Sequence, residues 1–169
     1  MRLNSNDKII QKANRLLCRA GSREPRHICQ FLGITVIEAP FKQQKGVYKV
    51  IERNRYIFLK EDLNPVMKDI VLWHEIGHDQ LHRKEATQFQ EFNLFDMTTN
   101  RMEYEANLFA AQLALDEEQL WEYILQGMDD VSIAKAMYSD TNLVALKVSI
   151  MSRPGYNLRV PEHRNDFLK

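Results

Sequence analysis

Cysteine is almost absent: Cys18 and Cys29 are the only two in 169 residues. Two thiols cannot build a disulfide-stapled scaffold, and they lack the CxxC spacing of a thiolate metal site. Both read as reduced thiols of a core. An excess of either charge is also lacking. Lys+Arg and Asp+Glu each total 23, so the formal net charge is zero. No overall positive field therefore favours nucleic acid. No apolar run approaches the ~20 residues of a membrane span. The first stretch, MRLNSNDKIIQKANRLL, is charged and amphipathic, without the apolar centre of a signal peptide. The expected compartment is the cytoplasm, with no membrane partner and no direct nucleic-acid binding. Repeats and low-complexity segments are missing too.

What remains is an ordinary globular composition, 44% apolar and 27% charged, at a length that suits one domain with a real core. The expectation is a compact domain over residues 1–126. A C-terminal helical appendage and tail, 127–169, should pack on the same domain.

Asn6 or Asp7 can cap a first helix whose Ile9, Ile10, Ala13, Leu16 and Leu17 form an apolar stripe closed by Gly21. Pro25 suits a second helix start, with Ile28, Cys29 and Leu32 inward and Gly33 at its end. Ile34–Glu38 is β-branched and reads as a strand stopped by Pro40. Two further strand-like runs from Gly46 flank the polar turn Glu52-Arg53-Asn54-Arg55, a hairpin signal. Asn64-Pro65 then starts a helix running to about His82. Residues 83–100 lack a steady period. Phe89, Phe92, Leu94 and Phe95 there suit a loop or broken helix walling a cleft. Helices follow over 101–115, from Asp116 to Leu125, over 131–138 and from Thr141 to about Ser152, with an irregular tail from Pro154. The fold class is α+β, mainly helical, with a small antiparallel sheet or hairpin. The pair of short helices across Ser139-Asp140 has helix-turn-helix spacing. Its second member is not notably basic, so packing or substrate docking is the preferred role.

The chemistry concentrates in Val71-Leu72-Trp73-His74-Glu75-Ile76-Gly77-His78. Residues four apart share a helix face, so His74 and His78 can grip one ion. Two neutral imidazoles suit Zn²⁺, and Glu75 is placed to act as general base. Gly77 weakens the helix and is best explained by close approach of another backbone. A catalytic zinc needs a third protein ligand and one open position. The later helix offers Glu103 and Glu105. Glu103 shares a face with Ala106, Asn107 and Ala110 and is preferred, although helix periodicity alone does not decide between them. Asn107, one turn from Glu103, can bond a ligating imidazole or carboxylate.

HEIGH followed by ExEANxFA resembles the ImmA/IrrE family of bacterial and phage zinc metallopeptidases. There, a HELGH-type sequence precedes E-x-x-x-[ND]-x-x-A. The pattern is also similar to the thermolysin-type arrangement. The resemblance runs from about Gly46 to Leu115 and includes His82 in HEIGHDQLH. It implies a zincin-like fold in which His74, His78 and Glu103 are ligands. Glu75 becomes the catalytic residue and Asn107 a supporting amide. It also implies a helix-turn-helix repressor as protein substrate, cleaved to relieve repression of mobile-element or stress genes. One departure is visible: the family's helix often ends in LL-x-P, whereas this chain reads Gln112-Leu-Ala-Leu-Asp-Glu-Glu.

A hairpin strand, Tyr56–Leu59, is expected beside the metal helix, where it can pair with an extended substrate. His82, Tyr104 and His163 are candidates for stabilising an oxyanion, and His27 reads as structural. The competing reading is a non-hydrolytic, antitoxin-like module that uses the metal fold to hold a partner. An intact Glu75 argues against it, since a pure binder needs no base there.

Overall fold

In the computed structural model, residues 4–84 and 101–153 are described. Helices α1 (Ser5–Ala20) and α2 (Pro25–Leu32) lead into strands β1 (Ile34–Ala39), β2 (Gly46–Ile51) and β3 (Asn54–Lys60). Then come α3 (Pro65–Leu81), α4 (Arg101–Ala114), α5 (Glu117–Leu125), α6 (Asp130–Ala136) and α7 (Thr141–Met151). The fold is α+β and mainly helical. The aromatic run Phe89–Phe95, the tail from Pro154 and His163 lie outside the described residues.

Local chemistry explains most boundaries. The cap of α1 is Asn4, earlier than Asn6 or Asp7. Asn4 Oδ1 accepts from the Asp7 N–H at 2.9 Å while Asp7 accepts from the Asn4 N–H, a reciprocal capping box. Asn64 caps α3 by accepting from the Met67 N–H, with Pro65 in the first turn. The hairpin turn is shorter than its polar stretch. Only Glu52 and Arg53 lie outside the strands, at φ 49° and 69°, the left-handed pair of a two-residue turn matched to strand twist.

The three strands form one sheet in the order β1-β3-β2. The hairpin β2–β3 is antiparallel, and β1 adds to β3 in parallel, with Ile34 opposite Arg55. β3 is thus the central strand, hydrogen-bonded on both sides. The expected substrate strand Tyr56–Leu59 has no edge to offer. The strand with an edge beside α3 is β2.

α3 is the axis of the molecule. It packs against α4, α2 and both hairpin strands, so every residue from Ile70 to Asp79 is buried. Full burial of Ile70, Leu72 and Ile76 contributes about 1.5–3 kcal/mol each. Gly77 faces α4 so closely that a Cβ there would lie 2.9 Å from Ala106 O and 3.0 Å from Ala106 Cα. The close approach expected at this glycine is an α3–α4 contact. Gly46 at the start of β2 is equally confined, because a Cβ would overlap Val71 Cγ1.

The C-terminal helices are joined to this frame by polar groups as well as apolar ones. α7 packs on α4, and its fully buried Lys147 donates to Glu117 Oε1 at 2.6 Å and to Gln112 Oε1. Gln112 Nε2 donates onward to Asn14 Oδ1 at 2.7 Å and to Glu117 at 3.0 Å. Cys29 is a core thiol. Cys18 is exposed on α1, contrary to its reading as a core residue.

Candidate metal centre

His74 and His78 sit one turn apart in the buried middle of α3, and Glu103 sits in the first turn of α4. Their polar atoms converge. His74 Nε2 lies 3.1 Å from Glu103 Oε2, His78 Nε2 lies 3.2 Å from Glu103 Oε1, and the two Nε2 atoms are 3.1 Å apart. One ligand atom from each of the three falls within 4.8 Å of the others. Two imidazole nitrogens facing each other and a carboxylate form a donor set suited to a cation. Glu103 meets the histidines, whereas the Glu105 carboxylate turns to His82 Nε2 at 3.1 Å and Arg101 Nε at 2.7 Å.

The far side of each imidazole is also occupied. Asn107 Oδ1 lies 2.8 Å from His74 Nδ1, and His82 Nδ1 lies 3.2 Å from His78 Nδ1. An amide oxygen only accepts, so His74 carries a proton on Nδ1, which leaves Nε2 to turn a lone pair on an ion or, when itself protonated, to donate to Glu103. The donor set therefore fits a metal ion in tautomer as well as position. Glu103 is buried, which would raise its pKa. Hydrogen bonds from His74 and His78 prevail and hold it at about 2. Burial likewise disfavours charge on His74, yet the Glu103 hydrogen bond and the charges of Glu75 and Glu103 keep its pKa above the ordinary value.

Glu75 points toward the sheet. A Cβ on Gly46 would come within 3.3 Å of Glu75 Oε1, a tight contact that places the carboxylate against the start of β2. Burial raises the Glu75 pKa above the usual carboxylate range, against the lowering influence of His78, His74 and the Tyr48 main chain. The strand register explains that last contact. The Lys60 N–H donates to Lys45 O at 2.9 Å, and the turn closes at Ile51 opposite Asn54. By the alternation of an antiparallel ladder, Gly46, Tyr48 and Val50 turn their main-chain groups away from β3. The Tyr48 N–H is therefore an outward group, and Glu75 receives it.

Other candidates have different surroundings. Tyr104 shares a 3.0 Å hydrogen bond with the Asn6 amide. His27 Nε2 lies 3.1 Å from Ala20 O, bracing α2 on α1. Asp79, adjacent to His78 in the chain, is buried and clamps the sheet to α3: Arg55 Nη1 of β3 lies 3.1 and 3.2 Å from its two oxygens. That clamp and the His82–Glu105–Arg101 chain were missed by sequence reasoning. For His82 the signal was present, since it continues the four-residue spacing of His74 and His78.

Comparison with known proteins supplies the class first. The chain belongs to the Peptidase_M78 family, the IrrE N-terminal-like domain, whose family model matches residues 29–149. Its relatives narrow this. The chain is 33% identical over 111 residues to "Uncharacterized immunity region protein 2" of Bacillus phage phi105, spanning 64% of this chain and 69% of that one. It is 25% identical over 128 residues to "Metallopeptidase ImmA" of Bacillus subtilis strain 168, spanning 75% of each. It is a metallopeptidase of the ImmA/IrrE type, and a metal ion and a protein substrate follow from that class. Among the described residues, no helix is long and apolar enough to cross a membrane.

Proposed function

We propose that this metallopeptidase is a zinc endopeptidase in which His74, His78 and Glu103 hold the ion and Glu75 handles the proton. The observation that carries the reading is the convergence of two imidazole nitrogens and one carboxylate within 4.8 Å, beside a buried glutamate. Three protein ligands of this kind leave one tetrahedral position open, the composition of a catalytic site. When bound, zinc supplies Lewis acidity, lowering the pKa of water toward about 7 and polarising a peptide carbonyl. Glu75 accepts a proton at its carboxylate and returns it to the leaving amine nitrogen. Asn107 orients His74 through its Oδ1. An extended substrate pairs with the outward main-chain groups of β2 other than the Tyr48 N–H, which Glu75 takes, bringing one peptide bond past Glu75.

The proposed substrate is a helix-turn-helix transcriptional repressor, cut to relieve repression of mobile-element or stress genes. The ImmA/IrrE resemblance supports this, as does the likeness to a phage immunity region protein. The test is incubation of the full chain, loaded with zinc, with its cognate repressor, followed by mass analysis. Wild type should produce two fragments, and Glu75→Gln should retain zinc and leave the repressor whole. Cutting by Glu75→Gln at the wild-type rate would overturn the role of Glu75. An intact, co-purifying repressor with wild type would favour a holding module over a peptidase.

A further inference from the structure

We propose that His82 is a positioning residue for the metal centre, the middle of a chain His78–His82–Glu105–Arg101 that fixes which nitrogen of His78 carries the proton. The proposal rests on the metal reading above and adds residues that take no part in holding the ion. His82 follows the last residue of α3 and donates its main-chain N–H to His78 O at 2.9 Å, so its place is set by the final helical bond. The backbone leaves the helix there, at φ −126° and ψ 26°. Its imidazole is buried, only 5% exposed.

The argument is an accounting of protons. His78 Nε2 faces His74 Nε2 and Glu103. If it gives its lone pair to an ion, the His78 proton must sit on Nδ1. That Nδ1 faces His82 Nδ1 at 3.2 Å, so His82 Nδ1 must accept. A neutral His82 then carries its own proton on Nε2, and Glu105 Oε2 stands 3.1 Å away to receive it. Arg101 Nε, one turn earlier in α4, donates to the other Glu105 oxygen at 2.7 Å and holds the carboxylate in place. The opposite set of tautomers would put the His78 proton into the centre and turn a His82 lone pair on a carboxylate. Of the two neutral arrangements, Glu105 therefore favours the one that leaves His78 ready for metal. α4 acts on both sides of α3: Glu103 meets the imidazoles from the front and Glu105 orients one of them from behind. Outer groups of this kind typically change metal affinity by roughly 10- to 100-fold when removed.

The experiment measures zinc affinity of the full chain at one pH, by competition with a chromogenic chelator. Wild type should bind one zinc and His74→Ala should lose it. His82→Ala should bind about 10- to 100-fold more weakly. His82→Asn should recover most of the affinity, since its Oδ1 can stand where Nδ1 stood and accept the same proton. Long-range ¹H–¹⁵N spectra of zinc-loaded wild type should show His78 protonated at Nδ1 and His82 at Nε2. In Glu105→Ala the His82 proton should redistribute between its nitrogens. His82→Ala affinity within about threefold of wild type, with His74→Ala still deficient, would overturn the proposal and leave the metal reading standing. So would a wild-type spectrum with His82 protonated at Nδ1. Wild type without a zinc site sensitive to His74→Ala would instead overturn the metal reading itself.

Discussion

Replacing Gly77 by alanine tests the α3–α4 contact on which the site depends. In an ordinary helix interior the change would stabilise by about 1 kcal/mol, because alanine restricts the unfolded chain and favours helix. Here the new Cβ meets Ala106 O at 2.9 Å and Ala106 Cα at 3.0 Å. Ordinary contact begins near 3.4 Å, so the helices must part by roughly half an ångström, the shortfall from 2.9 Å. Two of the three nearest atoms are backbone, which cannot rotate aside, so the overpacking cost falls at the upper end, about 3 kcal/mol. The net expectation is a loss of about 2 kcal/mol, or ~4–8 °C in Tm for a chain of this size. Because Glu103 rides on α4 and both histidines on α3, zinc affinity should fall with it. Adding Ala106→Gly should restore only part of the loss, since it removes the Cβ at 3.3 Å and leaves the carbonyl. Thermal unfolding with and without chelator, alongside metal content, reads both effects. A Gly77→Ala protein as stable as wild type, with unchanged zinc affinity, would refute the packing argument.

Further outcomes follow from other parts of the fold. Asn107→Ala should weaken zinc binding by roughly 10- to 100-fold by freeing the His74 ring, measured by chelator competition. Zinc held at 100 times its Kd should stabilise by about 2.7 kcal/mol, so chelation should lower Tm by ~5–10 °C. An unchanged Tm would mean that the ion binds folded and unfolded chains alike. Glu117→Ala should destabilise by about 3 kcal/mol in urea unfolding, because it strands the buried Lys147 with Gln112 as its remaining acceptor. Replacing both charges together, Lys147→Met with Glu117→Met, should be near neutral. Burial holds the Lys147 pKa below 10.5, so the unfolded chain binds more protons between that lowered value and 10.5. Its contribution to stability therefore rises with pH through that window, a slope that Lys147→Met should flatten. Burial pushes the Cys29 thiol up to about 12, leaving about one part in 10⁴ as thiolate at pH 8. A thiol reagent should then titrate exposed Cys18 alone in the native protein, and two equivalents of rapid reaction would contradict the burial of Cys29.

Much of the site was legible because helix geometry is local. The four-residue spacing of His74 and His78 dictates a shared face wherever the helix lies. Asn64-Pro65 marks the start of that helix for reasons internal to its first turn, and Gly77 announces a neighbour by lacking a side chain. The same spacing extends to His82. Its use was not legible, because the partner that makes it meaningful, Glu105, lies 23 residues away.

The sequence by itself determined the histidine stripe of α3, the hairpin, the α+β class and the family. Each is written in periods of two or four residues or in contiguous motifs. Only the tertiary structure decided that Glu103 meets the histidines and that Glu105 turns to His82, since this depends on how α4 is rotated against α3. Only the sheet order decided that β2 and not β3 offers an edge, because β1 returns in parallel and occupies the far side of β3. The burial of Lys147 was likewise invisible until α7 met α4. Contacts across such distances in the chain are set by how packed surfaces fit, which no local pattern records.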